Sequence, residues 1–300
     1  MLTRNYPEEI QFHNQIYFHI PAIYHRHILL AFCESIYFFL EQYKRNDIKI
    51  IAYGCPSFCI WNGGRFMDSE VYRIETIKAL IDNYIGFGID LQFTFTNTLL
   101  QETDVYDRYG NAILDIAYEY KEHCEIMVVS DILETYIRNK YPDLRIVRSI
   151  VNQSKPTDDI IDKYSTIVVP IYLNHDKEYL KSLVDKNVNV ELLVDEDCVI
   201  DCPYKKSHYD ITSRTQLFIP HENCLTCVMP RTELPQSHNI LPDELNEYID
   251  MGIYHFKLSD RKRMSKTIES SVYYMIPYNL QQELRQIIYE RSAIFLQNPL

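Results

Sequence analysis

Short apolar runs alternate with longer segments of helical spacing along the whole chain. The runs are rich in β-branched and aromatic residues, which predicts strands. They cover residues 15–20, 48–53, 90–96, 125–130, 145–150, 166–171, 189–195 and 253–259. Helical spacing predicts helices over 27–43, 69–84, 111–122, 131–140, 157–163, 177–186 and 263–275, and a short acidic helix over 243–250. Asp131 has the position of an N-cap at the start of one of them.

The order of these elements predicts the fold class. Eight repeats of a strand followed by a helix predict a TIM-like (β/α)8 barrel. The runs are almost wholly apolar, as in Ile167, Val168 and Val169, which is typical of parallel strands covered on both faces. A doubly wound open sheet is the competing architecture. With no linker rich in Gly and Ser, we expect one domain over 1–300, with a last helix over 279–296 packed outside it.

One segment interrupts this rhythm. Residues 196–241, between the seventh and eighth strands, form a long Cys-rich insertion with little helical periodicity. It contains four of the eight Cys together with His208, His221 and His238. Because long irregular segments in compact domains are usually functional or disordered, we expect a functional loop here.

The net charge and the hydropathy of the chain argue against nucleic-acid binding, secretion and membrane insertion. Acidic residues outnumber basic ones by 42 to 30, for a net charge of −12, so a nucleic-acid partner is disfavoured. An RNA-modifying role would require basic residues such as Lys205, Lys206, Arg261 and Arg263 to gather on one face. The start of the chain has no secretory pattern, and charged residues interrupt the longest apolar region, 20–40. We expect a soluble cytoplasmic protein without a membrane partner.

The cysteines carry the strongest chemical signal. In a reducing compartment eight Cys indicate metal or redox chemistry rather than disulfides. Four of them are paired within the insertion: Cys198, Cys202, Cys224 and Cys227. Four thiolates suit either an iron–sulfur cluster or a structural zinc, and the spacing does not separate the two. Cys55 and Cys59 form a third pair, either as alternative ligands, as a redox pair, or as small buried side chains in a turn.

Polar residues at the ends of several strands indicate an active site, since barrels assemble their sites there. Gly63 and Gly64 allow either close approach to a ligand or a tight turn, and the neighbouring Arg65 can clamp a carboxylate or phosphate. His208 can transfer protons near neutral pH. The other polar strand ends are His19, Thr96, Asn97, Ser130, Asp195, Glu196 and residues 257–261. Individually, such residues are more often helix caps or solvated. We select Arg65, His208, Lys257 and Arg261 as candidate catalytic residues.

Two segments resemble a known family. Residues 243–261 combine an acidic helix, a Gly-Ile turn and a Phe-Lys strand that leads to Arg261. This pattern resembles the collagenase-like peptidases, family thirty-two of the unclassified peptidases. Residues 191–202, a strand that leads to Cys198 and then Cys-Pro, are similar to the same family's approach to its cluster loop. The likeness covers mainly residues 188–275.

The resemblance implies a TIM-like barrel with a 4Fe–4S cluster held by four Cys near the barrel mouth. Carried over to this chain, the ligands are Cys198, Cys202, Cys224 and Cys227. In that family some members are classified as proteases, an activity that is disputed, while others support oxygen-independent hydroxylation or RNA modification. This chain departs from the family in its compact Cys spacing and in Asp260, where many relatives have Gly.

Three functional hypotheses follow. The first is an iron–sulfur barrel enzyme that carries out oxygen-independent modification, hydroxylation above all, of a small molecule or biosynthetic intermediate, with an electron-donor or homologous protein as partner. The second is a peptidase acting on a peptide substrate, although the sequence shows no Gly-x-Ser-x-Gly elbow and no His-Glu-x-x-His zinc helix. The third is a non-catalytic partner subunit stabilised by structural zinc.

Overall fold

Eight parallel strands close into a barrel. The computed structural model describes residues 15–21, 26–43, 45, 47–56, 58–64, 72–151, 155–196, 198, 202–221, 237–259 and 264–297. The strands are β1 (Ile16–Pro21), β2 (Ile48–Gly54), β3 (Asp90–Phe95), β4 (Cys124–Val128), β5 (Ile146–Arg148), β6 (Thr166–Val169), β7 (Asn189–Leu193) and β8 (His255–Lys257). Each pairs with the next, and β8 returns to pair with β1. This closure confirms the TIM-like (β/α)8 fold, and the open doubly wound sheet is wrong.

Helices follow the strands and surround the barrel. They are α1 (Arg26–Gln42), α2 (Ile74–Gly86), α3 (Arg108–Glu119), α4 (Asp131–Lys140), α5 (Asp158–Lys163), α6 (Lys177–Asp185), α7 (Lys205–Gln216), α8 (Leu245–Met251), α9 (Met264–Met275) and α10 (Gln281–Gln297). The last of them, α10, packs against α1. Among the described helices, none combines the length and the apolar character needed to cross a membrane.

The start of α2 and the N-cap of α4 differ from the sequence prediction. Helix α2 begins at Ile74 rather than at residue 69, because Arg73 has an extended backbone. At the start of α4 the N-cap is Ser130, whose Oγ accepts a hydrogen bond from the backbone N–H of Leu133. Asp131 is the first helical residue, so its prediction as the cap was wrong by one position.

Helix α7 corrects the prediction of an irregular loop over 196–241. The helix occupies residues 205–216 of that insertion. Its buried positions are Lys205, Tyr209, Ser213 and Gln216, which are spaced as one helical face. Apart from Tyr209, these buried side chains are polar. Because the inward face is not apolar, the hydrophobic pattern could not reveal the helix.

The outer faces of the strands form the main apolar core with the helices, whereas the inner faces are partly polar. Alternation along the strands and the contacts inside the barrel define three inward layers of four side chains, as in other TIM barrels. The layer nearest the amino ends of the strands contains Ile51, Glu125, Thr166 and His255. The middle layer contains His19, Gln92, Val147 and Glu191, and the layer nearest the carboxyl ends contains Tyr53, Met127, Val168 and Lys257.

Candidate functional site

A buried hydrogen-bonded network crosses the barrel interior. Lys257 Nζ donates to Glu191 Oε1 and to Gln92 Oε1, each at 2.7 Å. Its ammonium group also lies 4.1 Å from the ring centroid of Tyr53. Gln92 Nε2 in turn donates to Glu125 Oε1 at 2.7 Å and to Glu191 Oε2 at 3.1 Å. The Gln92 amide on β3 thus links two carboxylates and one lysine from three other strands.

Two histidines extend this network along one side of the barrel. His19 Nε2 and His255 Nδ1 are 3.1 Å apart and share a hydrogen bond. The His255 ring stacks on Tyr17 with centroids 4.4 Å apart. His19 is fully buried, and its Nδ1 has no hydrogen-bond partner among the described residues. The nearest acidic atom, Glu191 Oε2, is 3.6 Å from that nitrogen, which is too far for a hydrogen bond.

Burial and neighbouring charges set the protonation states of the network. Burial lowers the pKa of His19 to about 3 and that of His255 to about 4, so both imidazoles are neutral near pH 7. Burial alone would raise the pKa of Glu191, but His19 and Lys257 beside it lower that pKa to about 2. Burial raises the pKa of Glu125 to about 7, and the Glu191 charge adds to this effect. The interior therefore combines one firm ion pair with one carboxyl group that titrates near neutrality.

Helix α7 lies across the mouth of the barrel, at the carboxyl ends of the strands. Tyr209 packs against Val129 and Val151, which follow β4 and β5. Asn97, just after β3, donates from Nδ2 to the backbone carbonyl of Ser213 at 3.2 Å. The helix therefore covers the face on which TIM barrels carry their active sites.

Cys198 and Cys202 lie at this mouth beside a buried ion pair. Glu196, which follows β7, accepts a hydrogen bond at Oε1 from the backbone N–H of Cys198 at 3.1 Å. Its other oxygen, Oε2, faces Lys205 Nζ at 3.8 Å. The backbone N–H of Lys205 donates to the carbonyl of Cys202 at 3.2 Å. Both cysteines are partly exposed, so the loop between β7 and α7 presents them at the edge of the mouth.

The remaining described cysteines are fully buried: Cys33, Cys55, Cys59 and Cys124. Cys55 and Cys59, proposed as alternative ligands, lie in the apolar core. Burial raises the pKa of the Cys55 thiol, whose Sγ is 3.7 Å from the carbonyl of Pro56. Cys224 and Cys227 lie outside the described residues. The assignment of a ligand set to any of these cysteines stays a prediction.

The candidate catalytic residues fall in different places. Lys257 belongs to the buried interior network, only 4% exposed. His208 lies in the first turn of α7 and is half-buried, above the mouth rather than within the barrel. Arg65 and Arg261 lie outside the described residues. The described part of the chain therefore places Lys257 beneath the mouth and His208 on the helix that covers it.

Sequence reasoning missed three members of the network around Lys257. Gln92, Glu125 and Glu191 sit within apolar strands rather than at their ends. His19, predicted as a polar strand end, also lies inside its strand and points into the barrel. A single polar residue at an inward position of an otherwise apolar strand was the available signal.

Comparison with solved structures supports the fold. A U32 peptidase, a member of the family that the sequence resembles, superposes with a TM-score of 0.51 at 14% identity, covering 86% of this chain and 99% of that one. A glycerophosphodiester phosphodiesterase from Parabacteroides distasonis gives 0.38 at 8% identity, covering 72% and 65% of the two chains. A GH113 β-1,4-mannanase gives 0.35 at 13% identity, covering 92% and 98%. No protein-family model and no curated protein matches the sequence. The superposition on the U32 peptidase supports a U32-like barrel fold.

Proposed function

We propose that this protein is an iron–sulfur barrel enzyme that carries out oxygen-independent modification, hydroxylation above all, of a small molecule or biosynthetic intermediate. The observation that carries the proposal is the placement of Cys198 and Cys202. Both are partly exposed at the carboxyl-end mouth of the barrel, where backbone hydrogen bonds link Cys198 to Glu196 and Cys202 to Lys205. This mouth is where TIM barrels perform their chemistry.

Two of the four proposed cluster ligands, Cys198 and Cys202, are among the described residues. An iron–sulfur cluster needs soft thiolate ligands and a pocket shielded from water. Cys198 and Cys202 would supply two thiolates, with Cys224 and Cys227 as the other two. Helix α7 begins at Lys205, three residues after Cys202, and would supply part of the cover. Such a cluster, when bound, provides electrons or a Lewis-acid site.

Other residues have proposed roles around the substrate. Arg65 and Arg261 would anchor an anionic group, and His208 would transfer protons. Lys257, the fourth candidate catalytic residue, lies beneath the mouth, where Glu191 and Gln92 hold its ammonium group. The U32-like fold supports the barrel framework of this proposal.

Metal analysis tests the proposal. The protein is purified without oxygen, and iron, sulfide and zinc are quantified in the wild type, Cys198→Ala and Cys227→Ala. We expect brown protein with about four iron and four sulfide per chain, lost in both variants. Cys124→Ala is the matched control, because Cys124 is a buried cysteine at the amino end of β4. This control should keep its iron.

Two results would overturn the proposal. Colourless protein with about one zinc per chain, lost in the same two variants, would make the site structural and favour the non-catalytic partner subunit. Hydrolysis of casein by the iron-free wild type, after contaminating proteases are removed, would favour the peptidase.

A further inference from the structure

We propose a second metal site inside the barrel, in which His19, Glu125 and Glu191 bind a divalent transition-metal cation. One donor atom from each of the three side chains lies within 4.8 Å of the other two. The three residues come from β1, β4 and β7, so only the closed barrel brings them together. The inference goes beyond the proposed function, because it uses no cysteine and does not depend on an iron–sulfur cluster.

The His19 imidazole is the observation that points to a ligand. The side chain is fully buried, yet its Nδ1 has no hydrogen-bond partner among the described residues. A buried polar atom in this state costs free energy unless it binds something. Its other nitrogen, Nε2, is engaged with His255 Nδ1 at 3.1 Å. Metal-bound histidines typically use their second nitrogen in this way, which fixes the ring orientation and the tautomer.

The separation of the donor atoms fits coordination. His19 Nδ1 and Glu191 Oε2 are 3.6 Å apart. Two ligands that each lie about 2.1 Å from a tetrahedral ion are roughly 3.4 Å from one another. The 3.6 Å gap is therefore too long for a hydrogen bond and close to the edge of a coordination tetrahedron. One imidazole and two carboxylates form a nitrogen and oxygen set suited to zinc, manganese or ferrous ion.

Gln92 holds the position that a cation would take. Its Nε2 group donates to both Glu125 Oε1 and Glu191 Oε2, and so draws the two carboxylates together. A bound cation would replace these two hydrogen bonds, and the Gln92 amide would turn aside. Lys257 would keep its contact with the other oxygen, Glu191 Oε1. Lys257 would therefore orient Glu191 from a neighbouring position, and the lysine itself would not be a metal ligand.

Manganese is the probe for this site, because it prefers oxygen and nitrogen donors over thiolates. Mn²⁺ is titrated into the full-length wild type, His19→Gln and Glu191→Gln, with free Mn²⁺ measured by electron paramagnetic resonance. We expect about one bound Mn²⁺ per wild-type chain and a loss of affinity of roughly tenfold or more in both variants. His123→Gln is the control, since His123 is an exposed imidazole paired with Asp90 at 2.9 Å. It should bind Mn²⁺ as the wild type does.

A second measurement does not depend on the variants folding. Pulsed electron paramagnetic resonance of wild-type protein with Mn²⁺ should show hyperfine coupling to one imidazole nitrogen. Absence of stoichiometric binding, or bound Mn²⁺ without nitrogen coupling, would overturn the site. The Cys198→Ala variant should give the same Mn²⁺ titration as the wild type. This result separates a failure of the interior site from a failure of the iron–sulfur proposal.

Discussion

At the scale of single residues, the most unusual feature is the ion pair between Lys257 and Glu191 in the barrel interior. Branched apolar side chains dominate this position in most TIM barrels. Here both charged groups are almost fully buried, at 4% and 0% exposure of their side chains. Removing two charges from water is costly, and the pair persists because Gln92 supplies further hydrogen bonds to each.

Replacing one member of this pair should be strongly destabilising. In Lys257→Met the Glu191 carboxylate would stay buried without its cation, and we expect a loss of roughly 3–5 kcal/mol in the free energy of unfolding. Urea denaturation monitored by circular dichroism measures this loss. The double variant Lys257→Met with Glu191→Gln should recover part of the stability. A loss below about 1 kcal/mol in the single variant would show that the charges are not buried together.

Glycine 63 illustrates a second residue-level constraint. The sequence left open whether Gly63 and Gly64 approach a ligand or form a tight turn. Asn62 Oδ1 accepts a hydrogen bond from the backbone N–H of Gly64 at 2.8 Å, which is typical of an Asx turn. A Cβ on Gly63 would lie 2.0 Å from the backbone carbonyl oxygen of Thr96. In this structure the tight turn and a close approach to neighbouring backbone account for the glycines.

A pair of alanine substitutions tests this constraint. Gly63→Ala should lower the free energy of unfolding by roughly 3 kcal/mol or prevent folding, since backbone has to move. Gly86→Ala in α2 is the matched control, because a Cβ there meets nothing within 4 Å. It should be neutral or stabilise by up to roughly 1 kcal/mol. Equal thermal midpoints for the two variants would contradict the geometry around residue 63.

The polar residues of the site were only partly predictable. Lys257 was selected as a candidate catalytic residue, and His19 was named among the other polar strand ends. Glu191 was not selected, and its contact with Gln92 joins residues 99 positions apart. Local sequence cannot show such a pairing, because it depends on strand stagger across the closed barrel.

Among the secondary-structure elements, α4 contacts the end of α5 through the buried carboxylate of Glu134. Its Oε1 accepts from Arg138 Nε at 2.7 Å and lies 2.9 Å from Lys163 Nζ, while Oε2 contacts the hydroxyl of Tyr164. Burial alone would raise the pKa of Glu134. The hydrogen bonds from Tyr164, Arg138 and Lys163 outweigh this effect and hold the pKa below its usual value.

The stability that Glu134 contributes should depend on pH. Because its pKa is lower in the folded protein than in the unfolded chain, where it is about 4.3, the contribution is full above that value. This contribution to stability is lost as the pH falls through the lower pKa that Glu134 has in the folded protein. We expect Glu134→Gln to cost roughly 1–3 kcal/mol at pH 7 and clearly less below about pH 4. Urea denaturation at both pH values provides the test, and an equal cost at both would contradict the ion-pair account.

Helix α7 should open when its anchor is removed. Tyr209 is its buried contact with Val129 and Val151, so Tyr209→Ala should increase amide hydrogen exchange across residues 205–216 by roughly tenfold or more. Lys206→Ala is the control on the same helix, because that lysine is 83% exposed and pairs only with its neighbour Asp210 within the described residues. Unchanged exchange in Tyr209→Ala would mean that other contacts hold the helix over the mouth.

The elements differed in how well the sequence predicted them. All eight strands were predicted within a few residues, since buried parallel strands are continuous apolar runs. Helix α7 was missed because its buried face carries Lys205, Ser213 and Gln216. Its tertiary contacts, such as the hydrogen bond from Asn97 to Ser213, determine its place instead.

For the whole molecule, the order of strands and helices predicted the barrel, and the closure of the sheet decided against the doubly wound alternative. Closure between β8 and β1 then places two chemically different regions along one axis. The interior network around Lys257 lies within the barrel, and the loop with Cys198 and Cys202 lies at its carboxyl-end mouth. The separation follows from topology, because the network residues are inside strands while the cysteines follow β7.

The proposed iron–sulfur cluster at the mouth can be observed by Mössbauer spectroscopy of protein that is produced with iron-57 and purified without oxygen. We expect nearly all bound iron to belong to one 4Fe–4S signal, at about four iron per chain, and Cys198→Ala to remove that signal. Mononuclear iron alone, or protein that carries zinc and no iron, would show that these cysteines do not hold a cluster.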